Sequence, residues 1–435
     1  MTLTAIEIPL HSPFAELFAR CAQEPWALLL DSCDHPHGRY DFIFRQPVAV
    51  ITQSQAWPQQ LQAALAGVPS YQGPAEVPFQ GGLAGAFSYD AGRALEQLPS
   101  HAQADIELPD LAVGVYHQAL IRRRQDGVTW LLAETEQLPE LEQFWLSPAS
   151  TNHQLEFTLT SAWQSNLSAT DYQQRFARIQ AYLQAGDCYQ INLAQRFSAS
   201  YRGDPWQAYL RLRQHNNAPF SGFFRLDHGA LLSHSPERFL HVSAIGLVET
   251  KPIKGTRPRS SDPQQDQANA EQLAHSSKDR AENVMIVDLL RNDLSRCCQP
   301  GSVTVPKLFA IESYPAVHHL VSTVTGQLTP QHNALDLIAA CFPGGSITGA
   351  PKIRAMEIID ELEPHRRSYY CGSLAYFSKH GAADSSIAIR TLVAQQQQLY
   401  CWAGGGIVAD SEGASEYQET LDKVAKIVPL LAELS

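Results

Sequence analysis

The sequence predicts an α+β fold, in which strands come in blocks and helices are set apart from them. Strand-like runs at 220–226, 229–233 and 238–242 follow one another across short turns, which favours antiparallel pairing. Further strands are predicted at 316–325, 371–379, 384–394 and 399–409. Helical periodicity falls in separate stretches, which argues against a repeating β-α-β array.

The N-terminal 150 residues contain short strand-like runs that begin near Trp26, Tyr40 and Val48. Proline, glycine and glutamine separate these runs. Residues 146–168 are rich in Ser, Thr, Asn and Gln, which is typical of a linker or a long connection. We therefore expect an N-terminal region over 1–150, packed with the rest, and a second region over 165–435. The glutamines at 395–398 predict a hairpin turn.

Helical spacing of apolar residues marks the helices of the second region. The first has its stripe at Tyr172, Phe176, Ile179 and Leu183, and Gly186 follows as a stop signal. Further helices are predicted near 277–296, 333–341, 350–361 and 413–428. The buried stripe predicted for 277–296 consists of Val284, Val287, Leu290 and Leu294, and Ser276 with Asp279 resembles a capping box at its start.

Composition narrows the function classes. The chain has 435 residues, a net charge of −12 and eight cysteines. A strongly acidic chain is not expected to bind nucleic acid. The cysteines lack zinc spacing, the N-terminus lacks signal-peptide features, and no apolar run is long enough for a membrane span. We expect a cytoplasmic protein with reduced thiols and no membrane association.

Two pairs of acidic residues have the three-residue spacing that places side chains on one helix face. They are Asp279 with Glu282, and Glu416 with Glu419. Carboxylates brought together repel one another unless a cation joins them, and such hard oxygen ligands suit Mg²⁺. The alternative is a pair of solvated faces, with Glu419 and Lys423 as an ordinary ion pair.

Two glycine-rich segments are candidate ligand loops. The segment 343–352 precedes a predicted helix, so its N–H groups and Lys352 could meet an anion. It lacks the Gly-Lys-Ser/Thr of a P-loop, because Gly349 is followed by alanine and proline. The segment 403–407 follows a strand and opens no helix, so it is not a dinucleotide fingerprint. A plain tight turn is the alternative.

Three further side chains could carry chemistry. Lys254 could act as a nucleophile if burial or a nearby cation disfavours its charged form, although a lone lysine is usually a surface charge. Glu237 could be a general acid, or it could form a salt bridge with Arg238. Arg390 could present its fork to a carboxylate.

These segments together resemble the chorismate-utilising enzyme family, which includes large subunits of anthranilate synthase, aminodeoxychorismate synthases, and isochorismate and salicylate synthases. The matching blocks are 235–239 (SPERF), 252–256 (PIKGT), 278–283 (KDRAEN), 287–293 (VDLLRND), 319–322 (HLVS), 343–352 (PGGSITGAPK), 389–391 (IRT), 404–407 (GGGI) and 416–423 (EYQETLDK). The resemblance implies two stacked antiparallel sheets flanked by helices, forming one large interleaved unit.

The resemblance also implies a site for chorismate, a dianion, and Mg²⁺. Glu282 and Glu419 would hold the metal, with Asp279 and Glu416 near it or joined through water. The remaining roles are substrate binding for Thr256, His319, Ser346, Tyr376, Arg390, Gly404, Gly405, Gly406 and Lys423, and protonation of the departing hydroxyl for Glu237. Ser32 could line a tryptophan site of the kind found in some relatives. Ala375 stands where relatives usually have glycine.

Lys254 separates the subfamilies. Anthranilate synthases resemble the motif but have alanine there, whereas in the enzymes that aminate chorismate at C4 the lysine is thought to attack C2. Ammonia then adds at C4 and expels the lysine, giving the precursor of p-aminobenzoate and folate. The chain lacks the Gly-x-Cys-x-Gly of a glutaminase, so the resemblance implies a glutamine amidotransferase partner. The alternatives are an anthranilate, isochorismate or salicylate synthase, or a non-catalytic homologue.

Overall fold

Antiparallel pairing dominates the structure, a computed structural model that describes residues 1–36, 38–148, 156–314 and 317–432. The described strands form one sheet of 14 strands and one of 10. Residues from both sheets share one apolar core, so the sheets face each other. The predicted α+β fold of two antiparallel sheets with flanking helices is confirmed.

Residues 1–148 form the first strands of both sheets. The strands are β1 (Thr2–Glu7), β2 (Leu28–Asp31), β3 (Tyr40–Phe44), β4 (Ala49–Ile51), β5 (Ser70–Gln72), β6 (Gly82–Phe87), β7 (Leu111–Tyr116), β8 (Ala119–Arg123) and β9 (Thr129–Glu134). The helices are α1 (Phe14–Phe18), α2 (Trp57–Ala66) and α3 (Leu138–Leu146), with a 3₁₀ helix at Tyr89–Ala94.

The rest of the chain supplies the remaining elements. Its strands are β10 (Thr158–Leu159), β11 (Gln164–Ser165), β12 (Gln190–Arg202), β13 (Phe220–Leu226), β14 (Gly229–Ser235), β15 (Arg238–Val242), β16 (Leu247–Thr250), β17 (Ile253–Pro258), β18 (Thr304–Ser313), β19 (Val317–Gln327), β20 (Gly349–Ala350), β21 (Ser373–Ser378), β22 (Ala383–Ser386), β23 (Thr391–Gln395) and β24 (Gln398–Ile407). Its helices are α4 (Ala169–Ala185), α5 (Pro205–His215), α6 (Pro263–His275), α7 (Ser277–Ser295), α8 (Ala334–Cys341), α9 (Lys352–Leu362), α10 (Gly413–Val424) and α11 (Val428–Ala432), with a 3₁₀ helix at Gly345–Ile347.

The N-terminal strands are interleaved with the later ones. In the larger sheet β2 pairs with β13, and in the smaller sheet β6 pairs with β21. The N-terminal region therefore completes both sheets, and the molecule is a single unit. The division between 150 and 165 stays a prediction, and residues 149–155 of the expected linker lie outside the described part of the chain.

Strand alternation explains how one sheet covers two cores. Successive side chains of a strand point to opposite faces. Phe224 of β13 and Leu231 of β14 lie in the core between the sheets, whereas Phe223 and Leu232 lie in a second core. Helices α1, α3 and α5 cover this second core.

The helix predictions are largely confirmed. Helix α4 has Ser168 as its N-cap and ends at Gly186, whose φ of 80° is the left-handed conformation that glycine adopts easily. Helix α7 begins after Ser276, whose side chain accepts the backbone N–H of Asp279. The stripe predicted for α7 is wrong at Val284, which is exposed, while Ile286 is buried instead.

The strand predicted over 384–394 is wrong as a single element. It is two strands that belong to different sheets, β22 in the smaller and β23 in the larger. The chain crosses between the sheets at the intervening residues, where Arg390 has a φ of 50°. This crossing brings Arg390 to the cavity described below. The hairpin turn predicted at 395–398 joins β23 and β24, as expected.

All eight cysteines are free, in agreement with the predicted reduced thiols, and all eight are buried. Across the described ranges, no helix combines the length and the apolar character that crossing a membrane requires.

Candidate active site

A cavity of about 680 Å³ opens between β12, β17, β24, α7 and α10. It collects most of the residues that the sequence motifs singled out. Those lining it are Glu237, Lys254, Thr256, Asp279, Glu282, His319, Ser346, Arg390, Gly404, Gly406, Glu416, Glu419 and Lys423. Residues that lie up to 186 positions apart in the chain therefore share one site.

Lys254 and Glu237 meet at Ser346 in the wall of this cavity. The Lys254 Nζ atom donates to the Ser346 carbonyl oxygen at 3.4 Å. The Ser346 side chain lies beside the Glu237 carboxyl group and favours its charged form. One residue of the 3₁₀ helix is thus adjacent to both an amine and a carboxyl group.

A serine holds the loop that carries Glu237. The Ser235 hydroxyl accepts the Glu237 backbone N–H at 3.1 Å and donates to the Ile387 carbonyl at 2.5 Å. Arg238, the alternative partner suggested for Glu237, binds Asp384 and Glu249 instead. Glu237 is buried, and no arginine in the described part of the chain forms a salt bridge with it.

Burial shifts both titratable groups toward their neutral forms. Burial raises the pKa of Glu237 above its usual value, although Ser346 and Lys254 oppose the shift. Burial also lowers the pKa of Lys254, although Glu282 and Glu237 oppose the shift and Lys423 adds to it. Both shifts favour the neutral forms of these groups, which acid-assisted nucleophilic attack requires.

Two helices present four carboxylates to the cavity. On α7, Asp279 is paired with Arg257 at 3.0 Å. On α10, the Glu416 carboxylate accepts from Ser411 at 2.7 Å and lies 3.7 Å from the Lys278 amine.

The other carboxylate on each helix faces a different environment. Glu419 forms an ion pair with Lys423 at 2.6 Å, the contact that the alternative interpretation of this helix face named. Burial raises the pKa of Glu282, and the neighbouring Asp279 and Glu416 raise it further against Lys254 and Lys278. Glu282 is thus the carboxylate of this group whose charge most needs a cation.

Two glycines make room for these acids. Gly255 has a φ of 83°, and a Cβ atom there would lie 2.8 Å from the Asp279 carboxyl carbon. A Cβ atom on Gly405 would lie 3.1 Å from a Glu416 carboxylate oxygen and 3.5 Å from one of Glu419. Gly405 therefore faces the acidic helix α10, whereas Gly404 and Gly406 line the cavity.

The donor set suits a hard divalent cation only with help from a ligand. Within the described ranges, no three His, Cys, Asp or Glu side chains converge closely enough to hold a metal ion. Mg²⁺ commonly uses one or two protein carboxylates and completes its shell with water and substrate oxygens. Glu282 and Glu419 fit such a half-built site, so the Mg²⁺ set stays a prediction.

Cationic and neutral donors line the remaining walls. Among the described residues, no carboxylate lies within salt-bridge distance of Arg390, so its guanidinium can pair with a ligand carboxylate. Lys423 donates to the Gly404 carbonyl at 2.7 Å.

His319 shares a 2.8 Å hydrogen bond with Thr256, and burial lowers the pKa of its imidazole to about 4, so it is neutral at neutral pH. The neighbouring His318 contacts Asp266 and Ser313 and does not line the cavity.

Three candidates lie elsewhere. Tyr376 is buried on β21 with its ring 4.7 Å from Phe42, in a second cavity of about 150 Å³. Ser32 is buried next to Asp31, which lines that cavity, and donates to Asp41 at 2.6 Å. Lys352 binds Asp293 at 2.6 Å and the Cys341 carbonyl, so the predicted anion contact is wrong.

Sequence reasoning missed Asn192 and Lys278 as cavity residues. Asn192 lies in β12, a strand buried along most of its length, where an uncharged polar residue among apolar ones was a usable signal. Lys278 lies in a matched motif, but a lysine in the first turn of a helix has no distinctive spacing. Ala375 is buried in β21, away from this cavity.

The family of chorismate binding enzymes matches residues 25–429 of the chain. This chain belongs to that family. The match covers every residue of the cavity described above, and it confirms the resemblance drawn from the motifs. The chain is accordingly an enzyme of the chorismate-binding family, and chorismate is the ligand to consider for its cavity.

Several relatives of this chorismate-binding enzyme are similar over nearly their whole length. Aminodeoxychorismate synthase component 1 of Klebsiella aerogenes is 52% identical, with 97% of this chain and 98% of the relative covered. The protein of that name from Escherichia coli is 51% identical, with 95% of each covered. Anthranilate synthase component 1 of Streptomyces coelicolor is 36% identical, with 96% and 87% covered.

Solved structures agree with the fold. Anthranilate synthase component I from Streptococcus pneumoniae has a TM-score of 0.79 at 29% identity, with 90% of this chain and 92% of that chain covered. The menaquinone-specific isochorismate synthase MenF of Escherichia coli has a TM-score of 0.75 at 19% identity, with 99% and 94% covered. The second of these likenesses supports the architecture alone.

Proposed function

We propose that this enzyme aminates chorismate at C4 to give 4-amino-4-deoxychorismate, with Lys254 as a covalent nucleophile. The observation that carries the proposal is the pairing of Lys254 and Glu237 at Ser346 inside the cavity. An uncharged amine can attack one ring carbon while a protonated acid gives its proton to the hydroxyl that leaves another. The relatives named aminodeoxychorismate synthase component 1 support the same reaction.

The first half-reaction forms a bond between the Lys254 nitrogen and C2. The ring double bonds shift, the C4–O bond breaks, and Glu237 donates its proton so that the hydroxyl leaves as water. The adduct carries a protonated secondary amine, and Glu237 becomes a carboxylate. Covalent catalysis of this kind divides one difficult displacement into two easier ones.

The second half-reaction reverses the electron flow. Ammonia attacks C4, the double bonds return, and the C2–N bond breaks to release Lys254 as a neutral amine. The new C4 ammonium returns a proton to Glu237. The sum is chorismate plus ammonia giving the 4-amino product plus water, with both side chains restored.

The substrate is held by charge. Arg390 and Lys423 bind the carboxylates of the dianion, and the neutral His319 with Thr256 lines the pocket. Mg²⁺, held by Glu282 and Glu419, would neutralise the ring carboxylate and favour loss of the C4 hydroxyl. The chain acts with a partner component, and the words "component 1" in its relatives' names support such a partner. The role of this partner is to supply ammonia. We propose a glutamine amidotransferase for this role, acting in the cytoplasm.

Product analysis tests the reaction directly. The purified chain is incubated with chorismate, Mg²⁺ and ammonium chloride, and the products are separated and weighed by mass spectrometry. We expect 4-amino-4-deoxychorismate as the main product. Direct release of anthranilate at the main rate would instead assign the chain to the anthranilate synthases, and isochorismate would assign it to the isochorismate synthases.

Replacing Glu282 with glutamine tests the metal proposal. The variant keeps the shape of the side chain but loses its charge, so we expect Mg²⁺ affinity to fall by at least about tenfold. Isothermal titration of Mg²⁺ in the presence of chorismate measures this change without turnover. Asp288→Asn on α7 is the control, since the exposed Asp288 pairs with the exposed Arg291 and does not line the cavity. An unchanged Mg²⁺ affinity in Glu282→Gln would remove this residue from the ligand set.

A further inference from the structure

Lys278 is a cation placed among the carboxylates that would hold the metal. It lies in the first turn of α7, and its amine is 3.7 Å from a Glu416 carboxylate oxygen. Burial raises the pKa of Glu282, and the charges of Lys254 and Lys278 oppose this rise, so Lys278 acts on this carboxylate as well. Lys278 also lines the cavity. Its amine therefore faces the proposed metal ligands, although neither half-reaction uses it.

Lys278 is held less firmly than the other lysine beside these acids. Lys423 pairs with Glu419 at 2.6 Å and also donates to the Gly404 carbonyl at 2.7 Å. The ion pair between Lys278 and Glu416 is longer, and the Lys278 side chain is 53% exposed whereas that of Glu416 is 4% exposed. An exposed lysine loses little stability when it leaves such a contact. Lys278 is thus a counter-ion that another cation can replace.

A lysine amine and a divalent cation repel each other when they share one group of carboxylates. The repulsion is strong over a few ångströms, because partly buried charges are poorly screened by solvent and salt. Glu282 and Glu419, the proposed Mg²⁺ ligands, both lie within range of the Lys278 charge. Binding of Mg²⁺ by the protein alone therefore requires the Lys278 amine to move away from Glu416.

Chorismate changes this balance because it is a dianion. Its ring carboxylate can supply oxygen ligands to Mg²⁺, and its negative charge offsets the positive charge of Lys278. The repulsion by Lys278 is therefore largest when the metal binds the protein alone and smallest when the substrate is also bound. A lysine at this position makes metal binding depend on the substrate.

We propose that Lys278 competes with Mg²⁺ for the carboxylates of α7 and α10 and thereby couples metal binding to chorismate binding. This inference rests on the proposed function and adds to it a residue that keeps the metal weakly bound until the substrate is present. The role depends on the charge of the side chain. Arginine should therefore replace Lys278, and glutamine should not.

Metal titrations without turnover test this competition. Mn²⁺, which takes the same oxygen ligands as Mg²⁺, is added to the enzyme without chorismate, and the free ion is measured by electron paramagnetic resonance. We expect Lys278→Gln to bind Mn²⁺ at least about fivefold more tightly than the unmodified enzyme, and Lys278→Arg to stay within about twofold of it. Lys379→Gln is the control for net charge, because Lys379 donates to the Ala66 carbonyl at 2.6 Å and does not line the cavity. It should also stay within about twofold.

Two further titrations place the effect at the proposed site. Adding Glu282→Gln should remove the gain seen in Lys278→Gln, because the ion then lacks a ligand. In the Lys254→Ala background, which cannot form the adduct, Mn²⁺ is titrated with and without chorismate. Chorismate should tighten Mn²⁺ binding by a factor at least about threefold larger with Lys278 in place than in Lys278→Gln. Thermal unfolding establishes that each variant is folded.

The outcomes separate this inference from the proposed function. A Lys278→Gln enzyme that binds Mn²⁺ no more tightly than the unmodified enzyme, or binds none, would overturn the competition. An equal gain in Lys379→Gln would also overturn it, because the effect would then belong to net charge. The proposed function fails separately, if the unmodified enzyme makes no 4-amino product while Lys278→Gln still tightens metal binding.

Discussion

Replacing Lys254 with alanine should reduce formation of 4-amino-4-deoxychorismate by on the order of 10²- to 10³-fold. The variant lacks the amine that attacks C2, so the hydroxyl would have to be displaced in one step. The fold should persist, because among the described residues the Lys254 amine donates one hydrogen bond, and it is 3.4 Å long. Steady-state rates with ammonium chloride as the nitrogen source measure the loss.

Lys251 provides a matched control on the same segment of chain. It lies three residues earlier and pairs with Glu312 at 2.5 Å, outside the cavity. Lys251→Ala should keep activity within about twofold, as expected for a surface ion pair. Full activity in Lys254→Ala would contradict the covalent mechanism, and an equal loss in both variants would point to damage of β17 instead.

Replacing Glu237 with glutamine should lower kcat by about 10²- to 10⁴-fold, the usual contribution of a general acid. Glutamine retains the shape and the contact with Ser346 but cannot give a proton to the departing hydroxyl. Glu249→Gln is the control, because Glu249 of β16 pairs with Arg238 of β15 and does not line the cavity.

The pH dependence of kcat distinguishes an acid from a merely structural residue. Burial raises the pKa of Glu237, so its protonated form is lost as pH rises through that raised value. Burial lowers the pKa of Lys254, so its neutral form appears as pH rises through that lowered value. Activity should therefore fall on both sides of an optimum. Glu237→Gln should abolish the fall on the alkaline side, and a variant that keeps this limb would exclude Glu237 as the acid.

The motifs predicted the membership of the site better than its geometry. Lys254, Glu237 and the acids of α7 and α10 were recognised from short blocks because reacting groups demand particular residue types. Alternating and helical periodicities predicted the strands and helices, since burial of one face imposes them. Tyr376 lies in the second cavity because β21 belongs to the smaller sheet. A short sequence block does not reveal which sheet a strand joins.

The errors have identifiable physical causes. The period of a helix reveals a stripe but not its exact rotation about the axis. The prediction therefore buried Val284, whereas Ile286 is the buried residue. The run 384–394 was predicted as one strand, but the chain crosses between the two sheets within it, and the left-handed conformation of Arg390 marks the crossing. The position of Asn192 in the cavity wall depends on the pairing of β12 with β24, which no local pattern encodes.

Mass spectrometry of the enzyme with chorismate and Mg²⁺, in the absence of ammonia, tests the covalent role of Lys254 most directly. Without the second nucleophile the adduct should accumulate. After an acid quench and proteolysis, we predict that the peptide containing Lys254 carries the mass of chorismate minus one water, and that Lys254→Ala shows no such gain. An enzyme that forms 4-amino-4-deoxychorismate when ammonia is added, yet never shows this adduct on Lys254, would contradict the mechanism.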